Sequence, residues 1–479
     1  MTRPEAQVPT KTDALDAGRG AGARNDTTAP AQRLGAGLAV TALLVAVAMR
    51  VNNALRYRTR MGFDAVENVE YVQHLLSTWA LPAPDAGWAT SHPPLFYYAS
   101  AAIGRALAVF DATPALVWVI PLISSAVGGL AVWALFGLVR RSAPESPRRA
   151  WVAALLLLYA PVHVYMSAMF SEEILAATWS SLAVVAATGF VRDGRLCSGD
   201  PAALRGAAWI GVLAGCAWLT KLSGLLVVLA IASAWTLTAA RRGEMRSAAP
   251  KVAALVVAAA LVGGWYYARN LAVHGYLYPQ DLAVHAVMFE MPPGERGVLD
   301  YVRVPLATFT DPQLLNADLL HSVWGSTYAT LWFDGHRHFL PSSAAASRAG
   351  SWLLVLALLP TLAFAAGVVH GARRWWREAG AADGVLLSLV AFTGAGYVAF
   401  TWSNPWFATL KGSYLLGAGV PFAYYASETL DRWAAAGPWP ARIIAGVLAL
   451  LFVSVALVFT IGLVFTKLDA TGLPWRSIG

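Results

Sequence analysis

Charge is scarce in this sequence. Only 13% of its 479 residues are Asp, Glu, Lys or Arg, and 57% are hydrophobic. Soluble domains carry roughly a quarter charged residues, so this chain has too few to clothe a water-facing surface. A string of soluble domains, which the length alone would suggest, is excluded. A mean hydropathy of +0.54 points instead to a polytopic membrane protein. Cysteine is almost missing: Cys197 lies in a charged connection and Cys216 in an apolar run. Neither a disulfide framework nor a cysteine metal centre follows from that pair. A soluble basic face is also lacking, which excludes nucleic-acid binding despite a net charge of +8. What the chain does have is aromatics. Its 20 Trp, 16 Tyr and 18 Phe suit long membrane–water interfaces, where amphipathic rings collect.

Residues 1–33 have no apolar period and read as a disordered cytoplasmic tail. Apolar runs then recur near 34–54, 115–139, 151–169, 174–190, 206–220, 223–239, 252–267, 351–369, 384–401, 412–430 and 442–465. These make about eleven spans in one transmembrane domain, 34–465. A shorter run at 95–110 reads as an interfacial helix. The fold expected is an all-α membrane protein with juxtamembrane helices in its outer loops. The tail and the connections 140–150, 191–205, 240–251, 371–382 and 431–442 hold 21 of the 35 basic residues. They fall on alternate sides of the spans, which fixes them as the cytoplasmic face. The opposite face receives loops 55–114 and 268–350 and the tail 466–479. The first of these loops opens with Arg50, Arg56, Arg58 and Arg60, against the orientation rule. An anionic ligand or lipid headgroups would explain arginines there. Long loops on a rigid scaffold carry function, so the work is expected on the outer face.

Several outer-face motifs bear chemistry. Asp64 precedes Glu67, Asn68, Glu70 and His74 at helical spacing. A carboxylate there can act as a general base; the alternative is a capping box of Asp64 with Glu67. His92 stands before Pro93-Pro94, in extended backbone that could face a phosphate or orient a carboxylate. Glu172 and Glu173 share one short turn. Acids at a membrane boundary point to function and could hold a divalent metal or a sugar hydroxyl, or favour the start of a helix. Lys221 lies between two apolar runs, either snorkelling or meeting an anion. Arg269 follows the aromatic run Trp265-Tyr266-Tyr267, and Trp324, Tyr328 and Trp332 punctuate the second long loop with His336 and His338 nearby. Lys411 opens the segment Gly412-Ser413-Tyr414, whose backbone N–H groups make a phosphate site.

In this order the motifs resemble the C-type integral-membrane glycosyltransferases, in the branch of protein mannosyltransferase-like and aminoarabinose transferase-like bacterial enzymes. The carriers are Asp64, His92-Pro93-Pro94-Leu95-Phe96-Tyr97-Tyr98, Trp265 to Asn270, and Lys411 to Leu416. The sequence departs from the branch at Ala65 and Asn68, where a Glu and a His are common, and at His92, where aminoarabinose-transferring relatives have Lys. The resemblance implies a sugar moved from a polyprenyl-phosphate donor to a lipid, glycan or protein acceptor. It places the reaction on the periplasmic side of a bacterial inner membrane. Asp64 would be the base of an inverting transfer. Arg58, Arg60, His92, Arg269, Lys411 and Tyr414 would receive the donor phosphate. Glu67, Glu172, Glu173, Lys221, Trp324, Tyr328 and Trp332 would contact sugar or acceptor. A divalent metal is the one cofactor considered. A lipid-linked sugar flippase is the competing reading; it calls for mid-span charges and internal repeats, and the sequence has few of the former and none evident of the latter.

Overall fold

The computed structural model describes residues 28–57, 62–278, 286–340, 343–378 and 382–466. The chain divides into two compact units, Met1–Ala42 and Leu43–Gly479, and the second contains every candidate site residue. The tail residues 1–27 and 467–479, and with them Arg58 and Arg60, lie outside the described residues. Among the described residues the chain is helical, with one isolated bridge between Pro293 and Trp406.

The long helices are α1 (Thr28–Arg56), α4 (Leu116–Ser142), α7 (Glu173–Arg192), α8 (Pro201–Thr220), α9 (Gly224–Arg242), α10 (Met245–His274), α12 (Ala344–Arg377), α13 (Asp383–Ser403) and α15 (Pro438–Thr466). Between them fall the short helices α2 (Ala65–Thr78), α3 (Leu95–Ala108), α5 (Pro147–Leu158), α6 (Pro161–Ala168), α11 (Val323–Trp332) and α14 (Gly419–Ala435). Nine helices among the described residues are long and apolar enough to cross a membrane, and α5 with α6 makes a tenth, bent by 52°. The chain is thus a multi-pass membrane protein.

Two of the eleven apolar runs depart from simple spans, each for a local reason. The run at 151–169 breaks before Pro161, which has no N–H to continue the ladder. The Leu158 carbonyl freed near the break accepts instead from Arg50 Nη2 at 2.6 Å. Arg50 also donates to His163 Nδ1 at 3.0 Å, so that ring carries its own proton on Nε2. One of the counter-rule arginines therefore serves the fold. The run at 412–430 begins as a 3-10 segment, Gly412–Ala418, and only then becomes α14. Glycines at 412, 417 and 419 weaken the α-helix there.

Helices α8 and α10 pack without intervening side chains. A Cβ at Gly211 would stand 2.3 Å from the Leu255 carbonyl oxygen, and one at Gly215 would stand 2.9 Å from that of Ala259. Small residues four apart permit this approach between membrane helices.

The basic connections converge at one end of the bundle. Arg148 pairs with Asp431 at 2.6 Å, Arg149 with Glu428 at 3.4 Å, and Arg374 with Asp383 at 2.6 Å. Arg241 donates to the carbonyls of Trp375 and Trp376. The helices α7, α13 and α14 run from this end toward the turn that holds Glu173 and the segment that holds Lys411.

Candidate functional site

Asp64 occupies the N-cap position of α2, but its side chain makes no capping bond. Its backbone is left-handed, at φ 50°, a region that Asp tolerates better than most residues. This turns the carboxylate away from the helix end. Oδ1 accepts from Trp88 Nε1 at 3.0 Å, and Oδ2 stands 3.6 Å from Lys411 Nζ. The side chain remains 29% exposed and that of Lys411 10% exposed, so both are reachable but largely sheltered. Burial pushes the Asp64 carboxyl up, but Lys411, His92, the Trp88 hydrogen bond and Lys221 together hold it below the usual carboxylate range. Lys411 is raised in turn: burial disfavours its charge, but Asp64, Tyr414 and Glu173 together outweigh it.

His92 is fixed by a chain of neutral groups. Asn68 Nδ2 donates to the Phe170 carbonyl at 3.0 Å, and Tyr97 Oη donates to Asn68 Oδ1 at 2.7 Å. His92 Nδ1 then donates to Tyr97 Oη at 2.9 Å, because the Tyr97 proton is already committed to Asn68. The same Nδ1 lies 3.9 Å from Glu172 Oε1.

Glu172 and Glu173 end the bent pair and begin α7, and both are buried. Lys221, at the gap between α8 and α9, reaches Glu172 at 3.1 Å and Glu173 at 2.6 Å. Ser413 Oγ donates to Glu173 Oε1 at 3.0 Å. Burial opposes the charges of Glu172 and Lys221, yet Lys221 with His92 and hydrogen bonds holds Glu172 below its ordinary range, and the two acids raise Lys221. A divalent ion does not fit at this pair, because the ammonium already stands where a cation would. Among the described residues no group of three His, Cys, Asp or Glu converges elsewhere.

Two cavities meet at these side chains. One, of about 440 Å³, runs between the apolar walls of α7, α9 and α13, past Ala177, Ser180, Leu226 and Gly396. The other, of about 360 Å³, is lined by loop residues including Trp88, Met291, His336, His338, Asn404 and Trp406. Asp64, His92, Tyr278, Phe400, Lys411 and Tyr414 border both. Burial and the neighbouring His338 and Lys411 push His336 well below the usual histidine range, so it lines the second cavity as a neutral ring.

The remaining expected residues are not brought to this junction. Glu67 borders neither cavity. Arg269 donates to the adjacent Asn270 and lines neither cavity, because Tyr266, tied to the Ser91 carbonyl, occupies the inward side of α10 there. Trp324 packs on Tyr397, Tyr328 donates to the Leu354 carbonyl, and Trp332 packs on Phe422. Their helix, α11, is a support, not a cover. Its Thr330 Oγ1 accepts from Gly412 N at 2.8 Å and so holds the Lys411 turn. Trp88, Tyr278 and Thr330 are residues sequence reasoning missed. Asn68, Tyr97 and Ser413 stand inside motifs that the sequence analysis quotes but were given no role.

Residues 91–267 match the profile of the dolichyl-phosphate-mannose-protein mannosyltransferase family. No curated protein matches the chain by sequence. Among solved structures the chain is similar to the archaeal oligosaccharyltransferase AglB of Archaeoglobus fulgidus in complex with an inhibitory peptide and a dolichol-phosphate. The TM-score is 0.50 and the identity 14%, over 88% of this chain and 56% of that one. The same oligosaccharyltransferase in complex with zinc and sulfate gives a TM-score of 0.50 and 16% identity, over 88% and 53%. ArnT from Cupriavidus metallidurans bound to undecaprenyl phosphate aligns with a TM-score of 0.39 and 16% identity, over 84% of this chain and 80% of that one. The chain spans little more than half the length of the oligosaccharyltransferase it matches. It thus resembles the dolichyl-phosphate-mannose-protein mannosyltransferases over residues 91–267, within the fold of a C-type integral-membrane glycosyltransferase.

Proposed function

We propose that this chain transfers a sugar from a polyprenyl-phosphate donor to an acceptor hydroxyl, with inversion, and that Asp64 is the base. The observation that carries the reading is the Asp64 carboxylate, held between Trp88 and Lys411 where a cavity between helices meets one lined by loops. A prenyl chain suits the cavity between membrane helices, and a hydroxylic acceptor suits the one lined by loops.

The reaction follows from those positions. Asp64 accepts the proton of the acceptor hydroxyl as its oxygen forms a bond to the anomeric carbon. The bond from that carbon to the phosphate oxygen breaks, and polyprenyl phosphate leaves with the electron pair. Phosphate is a good leaving group, so preorganised charge serves better than an acid. Among the described residues Lys411 is the cation paired with the base, with Tyr414 and His92 beside it, and Arg58 and Arg60 belong to the same loop as Asp64. A phosphate that engages Lys411 takes counter-charge from Asp64 and makes it a stronger base once donor is bound. Lys221, Glu172, Glu173 and Ser413 form a neutralising network that shapes the sugar end of the apolar cavity.

The bacterial cytoplasmic membrane with this site outward is the setting proposed, because the arginine-rich connections gather at the other end. The deciding experiment is Asp64→Asn in membranes given a lipid-linked sugar donor. Transfer should fall by about two to four orders of magnitude, with donor still bound. Undiminished transfer rejects the assignment.

A further inference from the structure

The end of the bundle away from Asp64 holds a cavity of about 530 Å³ that the proposed reaction does not use. It lies where the C-terminus of α12, the N-terminus of α13 and the C-terminus of α14 meet. Its floor is an ion-pair network. Arg374 grips both oxygens of Asp383, at 2.6 and 2.7 Å, and Glu428 at 2.7 Å. Arg149 and Arg432 also converge on Glu428. Asp383 and Glu428 are buried, so these acids are fully engaged beneath the surface.

The wall over this floor is different. Arg373 and Arg377 stand one helical turn apart on α12, and both are exposed. Neither has a protein partner among the described residues. His370, one turn earlier, also lines the cavity and bonds the Ala366 carbonyl through Nδ1. Glu378 is the one acid at the rim. A helix C-terminus would ordinarily repel an anion, but Arg241 already occupies the Trp375 and Trp376 carbonyls. Arginines whose task was orientation alone would need only to lie in a loop; these border one concavity over spent carboxylates.

We propose that this cavity binds a phosphate group, with Arg373 and Arg377 as its principal ligands and Arg432 beside them. Guanidinium groups favour phosphate because their planar forks match its oxygens. Basic pockets between membrane helices take anionic lipid headgroups in the same way. The site is independent of the proposed transfer reaction.

The test uses the purified full-length protein, and Arg373→Gln with Arg377→Gln as a double variant. Native mass spectrometry compares retention of phosphatidylglycerol with that of phosphatidylcholine, and thermal melting is followed with and without inorganic phosphate. At least tenfold preferential retention of phosphatidylglycerol, lost in the double variant, supports the site with a lipid source. Stabilisation by inorganic phosphate, lost in the same variant, supports it with a free-anion source. Phosphatidylglycerol retained equally by both proteins, or no response to either probe, overturns it. The variant Arg373→Lys with Arg377→Lys keeps the charge and should retain at least part of the binding. If the glutamine variant melts abnormally, a lysine variant that melts normally yet binds neither probe also overturns the proposal.

Discussion

At the residue scale, the site is a set of charges each adjusted by its neighbours. Asp64 is held below the ordinary carboxylate range chiefly by Lys411, against its burial. A base must be ionised to act, so a lowered pKa carries activity to lower pH. The acidic limb of kcat/KM should lie below about pH 4, the ordinary value for Asp. In Lys411→Met it should move upward, as a pH series on both proteins would show. Trp88→Phe removes the only indole donor to Asp64 Oδ1 among the described residues; the rate should drop at least tenfold, from the ~1.5–3 kcal/mol of a hydrogen bond to a charged group, with donor KM little changed. Asp64, His92, Glu172, Glu173, Lys221, Lys411 and Tyr414 were legible in the sequence, because ionisable or phenolic groups beside apolar runs are costly to place without a purpose. Trp88, Asn68 and Ser413 were not. A neutral polar residue looks the same whether it orients a catalytic group or fills a turn.

At the element scale, the second long loop changed its meaning. The resemblance implies that Trp324, Tyr328 and Trp332 contact sugar or acceptor, yet α11 packs them against neighbouring helices and offers Thr330 to the Lys411 turn. Pattern gives the helix; which face meets what depends on long-range packing. Thr330→Val keeps the shape but leaves the buried Gly412 N–H unpaired, at a cost of about 1–3 kcal/mol. Donor KM should rise several-fold in steady-state assays while the fold persists. The contact of α8 with α10 gives a separate expectation about stability. Gly211→Leu would drive a side chain into the Leu255 carbonyl, so the melting temperature in detergent should fall by several degrees, from about 1–3 kcal/mol of overpacking. The bend at Pro161 was half legible, since proline marks the break but not the arginine from α1 that satisfies it.

At the scale of the whole molecule, the proposed reaction assigns the donor to the cavity between helices and the acceptor to the one lined by loops. Blocking them separately should split the kinetics. Ser180→Trp fills the apolar cavity and should raise donor KM at least tenfold with acceptor KM unchanged; Asn404→Trp in the loop-lined cavity should do the reverse. Initial rates with each substrate varied in turn would read both. Equal effects of the two variants would deny the division. Part of the charge pattern was legible here: Arg148, Arg149, Arg241, Arg374 and Arg432, from connections counted to one side, meet at one end of the bundle, because the cost of membrane passage acts on charge and needs no packing detail. The Asp64–Lys411 ion pair has a further consequence, in time. The acid is made with the first loop and its partner only after the helix Asp383–Ser403. At ribosomal speed, near 5–20 residues per second, the carboxylate waits roughly 17–70 s for its counter-charge. Under the proposed mechanism, a nascent or truncated chain that stops short of Lys411 has its base without that counter-charge. Transfer is then expected only once the segment bearing Lys411 has been made.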